Sequence, residues 1–355
     1  CHPYALLFKC AKLIVPYLIL LITTVSKRFL SKQDFLNLML LILIIIIAFI
    51  AAFISVSQLK FDYFKKYITF CSSVSILFVV SMLDMKQECK TIILYMSIAL
   101  SIIFVVFFRI GDYPQYGGGI TLNFTNPNLL ALWLLTLLFF VVLAVSHFKS
   151  VWSKLGLLII TINLIEMLIK TRARSAIVSL GYFCLINMIC NMFKNRYLQK
   201  IIVTISLLLP LVFVIVYQNT IHSSFISNMF KRAVSIGKPL DSRFLVWGYI
   251  VDLIKRNILF GSYYDAIKES VLVQAHNIYL DIWASYGIIV FILFLVLLYR
   301  ITSKIANNLS TRGLTPLIAF LSLIIAGTTE AALVSGSLGM YILAFTFLII
   351  AKKTE

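Results

Sequence analysis

Three arginines and one histidine stand where this sequence could do chemistry: Arg172, Arg174, Arg243 and His276. A guanidinium binds phosphate oxygens through two parallel N–H groups, and a neutral imidazole can accept a proton as a general base must. His276 lies in VQAHNIYLDIWASYGII (273–289), at the mouth of a long apolar segment. A helix beginning near Asn277 places the imidazole by the positive end of the helix dipole, which favours the neutral ring. The bland alternative is a hydrogen-bonded histidine at the membrane interface. Arg172 and Arg174 lie in TRARSAI (171–177), which joins two apolar segments with hardly any linker. They read either as phosphate ligands or as lipid-headgroup anchors, with Glu166 on the preceding helix as an available partner.

Arg243 belongs to PLDSRFLVWGYIVDLIKRN (239–257), which reads as an amphipathic helix. Asp241 can serve as its N-cap, and Phe244, Trp247, Val251 and Ile254 recur at helical spacing. Arg243 then occupies the first turn, where the dipole disfavours a cation and a bound anion would compensate. The alternative is a helix lying on the bilayer surface with Lys255 and Arg256 snorkelling.

Other chemistries lack their residues. His2, His147, His222 and His276 form no HxxxH or HxH pair, so no metal site and no cofactor are expected. No DxD pair occurs, and no GxSxG elbow. Gly117-Gly118-Gly119 lacks the GK[ST] ending of a phosphate-binding loop and reads as a flexible outer loop. The six cysteines contain no CxxC and mostly sit in or beside apolar runs, as core residues do.

The elements that must position these residues are membrane spans. The chain of 355 residues is 61% hydrophobic and only 12% charged, against roughly 25% charged in soluble domains. Its net charge of +18 is spread between apolar runs instead of covering one face, so no nucleic-acid partner is expected. Eleven apolar runs can be marked off: 11–25, 35–57, 67–83, 91–108, 127–146, 151–169, 175–193, 201–217, 277–299, 315–331 and 333–350. Each is near the length one crossing needs, about 20 residues. Between 218 and 276 no run is long enough to cross. The expected fold is therefore all-α, a polytopic transmembrane helix bundle with one large loop. It divides into a first bundle (1–217), the loop with its amphipathic helix (218–276) and the C-terminal spans (277–355).

Alternate connectors set the orientation. One set comprises 26–34, 84–90, 147–154, 194–200, 300–313 and the tail at Lys352-Lys353, and it carries 15 of the 31 basic residues. Without the long loop the other set carries 9, so the first set is assigned to the cytoplasm. The long loop then faces outward, and so do Lys170, Arg172 and Arg174, against the positive-inside trend. The first residues fall outside as well, and a preceding helix, giving twelve spans, would remove that anomaly.

Four stretches, in order, resemble the bacterial O-antigen ligase and polymerase superfamily. NPNLLALWLL (126–135) resembles the family's PN-x-x-A segment, and TRARSAI its T-x-x-R-[SG]-A turn with Arg174 at the arginine position. DSRFLVWGYIVDLIKRNILFG resembles its R-x-x-x-W helix, matching at Arg243 and Trp247. AHNIYLDIWASYGIIVF resembles its H-N-x-x-L segment, matching at His276, Asn277, Leu280 and Gly287. The chain departs from the pattern in two places. Asn257 stands where proline is common and only Gly261 remains of two glycines after it, while Arg172 adds an arginine before the usual one.

The resemblance implies a GT-C-like membrane glycosyltransferase of the bacterial plasma membrane, with its active site on the extracytoplasmic face. It implies polymerisation of O-antigen or capsule from undecaprenyl-diphosphate-linked oligosaccharides, donor and acceptor alike, amid membrane lipids. A chain-length regulator protein is a further expected partner. His276 would act as the base, Arg172, Arg174 and Arg243 would hold the diphosphate, and Asn277, Asp241 and Trp247 would support them. A ligase that moves finished O-antigen onto lipid A core would use the same parts. A transporter or lipid flippase is the rival of another class. Transporters carry charges near the midplane and show repeated halves, whereas Glu166 and Glu330 lie near span ends and no internal repeat is visible.

Overall fold

The computed structural model describes residues 31–55, 61–111, 115–116, 118–122, 124, 126–193, 195–220, 241–262, 277–307, 313–328 and 338–352. The chain is all-α, with one pair of two-residue strands. Helices α1 (Lys32–Ser55), α2 (Phe61–Met82) and α3 (Gln87–Ile110) precede that pair, β1 (Gln115–Tyr116) and β2 (Gly119–Ile120). Then follow α4 (Pro127–Ala144), α5 (Val151–Lys170), α6 (Arg174–Met192) and α7 (Arg196–Thr220). The last four are α8 (Asp241–Arg256), α9 (Ile278–Asn307), α10 (Leu314–Ala326) and α11 (Leu338–Ala351).

The apolar run at 11–25 lies outside the described residues, and each of the other ten overlaps a helix over its described residues. Among the described residues six helices, α1, α3, α4, α5, α6 and α9, are long and apolar enough to cross a membrane. Four of them, α1, α3, α5 and α6, turn apolar faces outward: Phe53, Ile54, Phe107, Ile110, Ile159 and Val178 are all more than half exposed. In water so much exposed apolar surface would drive association, whereas lipid accepts it. The protein is a multi-pass membrane protein.

The described residues fall into two compact units. The first takes its residues from Cys1–Val79, Thr204–Ile301 and Gly327–Leu338. Arg300 donates to Asn37 at 2.8 Å, which ties α9 to α1. Phe70 of α2 stacks on Tyr286 of α9 with centroids 4.5 Å apart. Pro210 interrupts the hydrogen-bond ladder of α7, since proline has no N–H to donate.

The second unit takes its residues from Val80–Val203, Thr302–Ala326 and Gly339–Glu355. Its core is α4, whose start follows from sequence. Asn126 caps it by accepting from the Asn128 amide at 2.8 Å, and Pro127 fills the first helical position, where no N–H is needed. α4 is apolar all round and buried, touching α3, α5, α6 and α10. Phe139 stacks on Phe183 of α6, and Phe140 on Phe347 of α11. Hydroxyls inside the unit turn back on their own helices: Thr136 donates to Leu132 and Ser322 to Ile318, each at 2.7 Å. That satisfies them where lipid offers no partner.

At one end of the second unit Lys352 donates to the carbonyls of Ser81, near the end of α2, and Leu83, just beyond it, and Lys90 donates to the carbonyl of Lys352. The 84–90 connector and the C-terminal tail therefore meet. The core reading of the cysteines holds for Cys71 and Cys190 and needs correction for Cys89 and Cys184, which are exposed. Cys184 lies within the apolar helix α6, whose lipid-facing side has no need to bury a thiol, and Cys89 lies in the polar first turn of α3.

Candidate active site

The turn between α5 and α6 is built on a left-handed residue. Thr171 closes α5, its hydroxyl donating to Leu168 at 2.6 Å and accepting from the Ala173 amide at 3.3 Å. Arg172 follows with φ of +56°, a conformation that glycine adopts freely and side chains disfavour. Its guanidinium lies against Gly118, itself at φ +80°, so closely that a Cβ on Gly118 would meet the nitrogens. Gly119 packs in the same way on the carbonyl of Thr171. The glycine loop expected to be a flexible outer segment therefore touches the arginine turn at both of these glycines. Its glycines are explained by close approach, a signal that spacing alone could not give.

Arg174 is the first residue of α6, exposed at the N-terminal end, where the helix dipole opposes a cation. Glu166, offered by the sequence as a partner for these arginines, pairs elsewhere. Its carboxylate accepts from Lys170 at 2.9 Å and from Arg109, which also donates to Asn163. Lys170 and Arg109 both lie over the Phe108 ring, so this corner of the second unit has its own cation cluster.

In the first unit α8 forms where the amphipathic pattern predicts it, starting at Asp241. Trp247 is buried, meets the ring of Phe213 edge-on, and packs with Ile250 and Ile254 against Leu280 and Ala284 of α9. It anchors the helix. Arg243 occupies the position one turn before Trp247, and the side chains of Asp241 and Arg243 lie outside the described residues.

His276 also lies outside the described residues, and its neighbour Asn277 shows how the mouth of α9 is made. Asn277 is fully buried. Its Oδ1 accepts from the amides of Tyr279 at 2.9 Å and Leu280 at 3.1 Å, a complete N-cap. Its Nδ2 donates to the carbonyls of Thr328 at 3.0 Å and Pro210 at 3.4 Å. The Ile278 amide goes to Gly327 and the Asp281 amide to Asn277 itself. All four first-turn amides are taken, so an anion at this mouth would feel the dipole without direct backbone bonds.

Two features escaped the sequence reading. Lys66 of α2 forms an ion pair with Asp281, one turn into α9, at 2.8 Å. An acidic residue in a first turn was its only local signal. The other is a break in α9 at Gly287, where φ is +82° and ψ 173°, a combination essentially restricted to glycine. Among the described residues no three His, Cys, Asp or Glu side chains come together.

A family model described as O-antigen ligase matches residues 158–295. No curated protein and no solved structure matches the chain. The matched segment runs from α5 into α9 and contains Arg172, Arg174, Asp241, Arg243, Trp247, His276 and Asn277, while NPNLLALWLL lies before it. Residues 158–295, well under half of the chain, are thus similar to an O-antigen ligase domain, the family that the four sequence stretches resemble.

Proposed function

We propose that the protein polymerises O-antigen or capsular polysaccharide, moving a glycan from undecaprenyl diphosphate to a sugar hydroxyl of a lipid-linked repeat unit. The reaction takes place at the outer face of the bacterial plasma membrane, in a chain organised as 1–217, 218–276 and 277–355. In the transfer the acceptor oxygen attacks the anomeric carbon, and the bond from that carbon to the diphosphate breaks. The electron pair leaves on the diphosphate, and the hydroxyl proton passes to His276. One displacement inverts the anomeric centre. Negative charge grows on the leaving diphosphate, which Arg174 and Arg243, with Arg172, would neutralise from fixed positions. The diphosphate is a good leaving group, so no general acid is needed.

The observation that supports this reading best is the anchoring of α8. Trp247 fixes the helix that carries Arg243 against the first turns of α9, whose mouth directly follows His276. The family match spans both. The test is transfer by purified protein in nanodiscs with lipid-linked repeat units as donor and acceptor. Wild type should build polymer, His276→Ala should build none, and Arg243→Lys should fail nearly as badly as Arg243→Ala, because a point charge lacks the two-pronged contact. Normal polymer from His276→Ala would remove the base. Transfer to lipid A core but not to the repeat unit would make the protein a ligase.

A further inference from the structure

The break in α9 is filled by another part of the backbone. In an unbroken helix the Ile288 amide would donate to the Ala284 carbonyl. At Gly287 that bond is lost, and the turn after α8 takes both of its halves. The Ile288 amide donates to the carbonyl of Ile258 at 2.9 Å, and the Ala284 carbonyl accepts from the Ser262 amide at 2.7 Å. The turn is closed by its own bond, from the Gly261 amide to Asn257 at 2.9 Å.

Two glycines make the fit possible. Gly261 has φ of +72°, and a Cβ there would stand 2.7 Å from the Gly287 nitrogen and 2.8 Å from the Ala284 oxygen. A Cβ on Gly287 would run into the carbonyl of Leu259. Neither position tolerates a side chain on steric grounds, and both backbone conformations favour glycine. Within a bilayer, freed backbone groups are expensive, so a break of this kind persists only where protein re-satisfies it.

We infer that Gly261 and Gly287 are positioning residues for glycan transfer, because they lock the turn after α8 into the break of α9. The helix carrying Arg243 and the helix mouth behind His276 then form one rigid body. This inference rests on the proposed function. Side-chain packing of Trp247, Ile250 and Ile254 on Leu280 and Ala284 holds one end of the contact, and two backbone bonds hold the other. A shift of about 1 Å between catalytic groups can cost on the order of 100-fold in rate. Such a body would leave donor binding largely intact when loosened and would lower turnover.

The test is to join the two helices. Ile250→Cys and Ala284→Cys are introduced into protein whose native cysteines are serine, and the pair is linked with a short thiol-reactive bridge. Linkage should form equally with and without lipid-linked repeat unit, and linked protein should transfer within twofold of its unlinked form. A tenfold loss on linking, reversed by cleaving the bridge, would overturn the rigid body. Gly287→Ala should lower kcat at least tenfold while KM for the donor stays within threefold; unchanged kcat would overturn the role of the glycine. If that variant fails to accumulate, the linked pair decides alone. Absence of transfer by unmodified protein would instead sink the proposed function, with linkage yield on a gel still reporting the joined helices.

Discussion

Lys66 and Asp281, far apart in sequence, meet at 2.8 Å with both side chains largely enclosed. An enclosed pair differs from a surface one in what happens when half of it is removed. The remaining charge is left without a partner in a poorly solvated place. Lys66→Met and Asp281→Leu should therefore each lower stability in detergent by about 1–3 kcal/mol, somewhat less than for a fully buried pair. The double variant should recover most of that loss. Thermal unfolding of the four proteins gives the coupling, and strictly additive losses would show that the two charges do not depend on each other.

Asn277 makes a sharper case, because its two ends do different work. At an ordinary helix start aspartate caps as well as asparagine. Here the amide nitrogen faces two carbonyls, those of Thr328 and Pro210. A carboxylate would turn an oxygen toward both. Asn277→Asp should consequently destabilise at least as much as Asn277→Ala, each by about 2 kcal/mol. An aspartate variant of wild-type stability would mean that the cap alone matters.

Arg172 can separate strain from function. Glycine suits its left-handed backbone better than arginine does, by about 1 kcal/mol. Arg172→Gly should keep or raise thermal stability while transfer drops at least tenfold, if the guanidinium holds diphosphate. Full transfer by this variant would assign the turn's contribution to Arg174 alone.

The arginine-based reading also bears on metals. Nucleotide-sugar transferases often bridge a diphosphate to paired carboxylates through Mg²⁺ or Mn²⁺. Two or three guanidinium groups already in position would neutralise the same charge. Transfer should proceed equally well in excess EDTA. If chelation stopped it and Mg²⁺ restored it, the acidic residues Asp241, Asp252, Asp265 and Glu269 would become the ones to substitute.

Much of the fold could be read from hydropathy. Runs of twenty apolar residues admit few structures in lipid, and their positions match the helices closely. α8 was legible too, because Asp241 and the spacing of its apolar residues mark a start and a face. Long-range backbone geometry was not. The plug at Gly287 depends on a turn 25 or more residues earlier, and nothing local distinguishes that glycine from a helix-tolerated one. Likewise the meeting of Arg172 with Gly118 joins two loops whose sequences carry no shared pattern. Pairings of charge were half legible: Glu166 was rightly marked as a partner, for the wrong cations.

The break in α9 also divides its labour. The segment from 288 to 307 has twenty residues, about 30 Å of helix, and its last eight, from Arg300 on, belong to the connector. Its first dozen, IIVFILFLVLLY, hold no hydrogen-bonding side chain before the terminal tyrosine. The segment before Gly287, IYLDIWASY, holds Tyr279, Asp281, Trp283, Ser285 and Tyr286. Protein and not lipid surrounds those polar groups: Asp281 pairs with Lys66, and the buried Tyr279 hydroxyl donates to the Leu207 carbonyl at 2.6 Å. The half of α9 before the glycine is therefore shaped by the protein packed around it, and the half beyond by the lipid it meets.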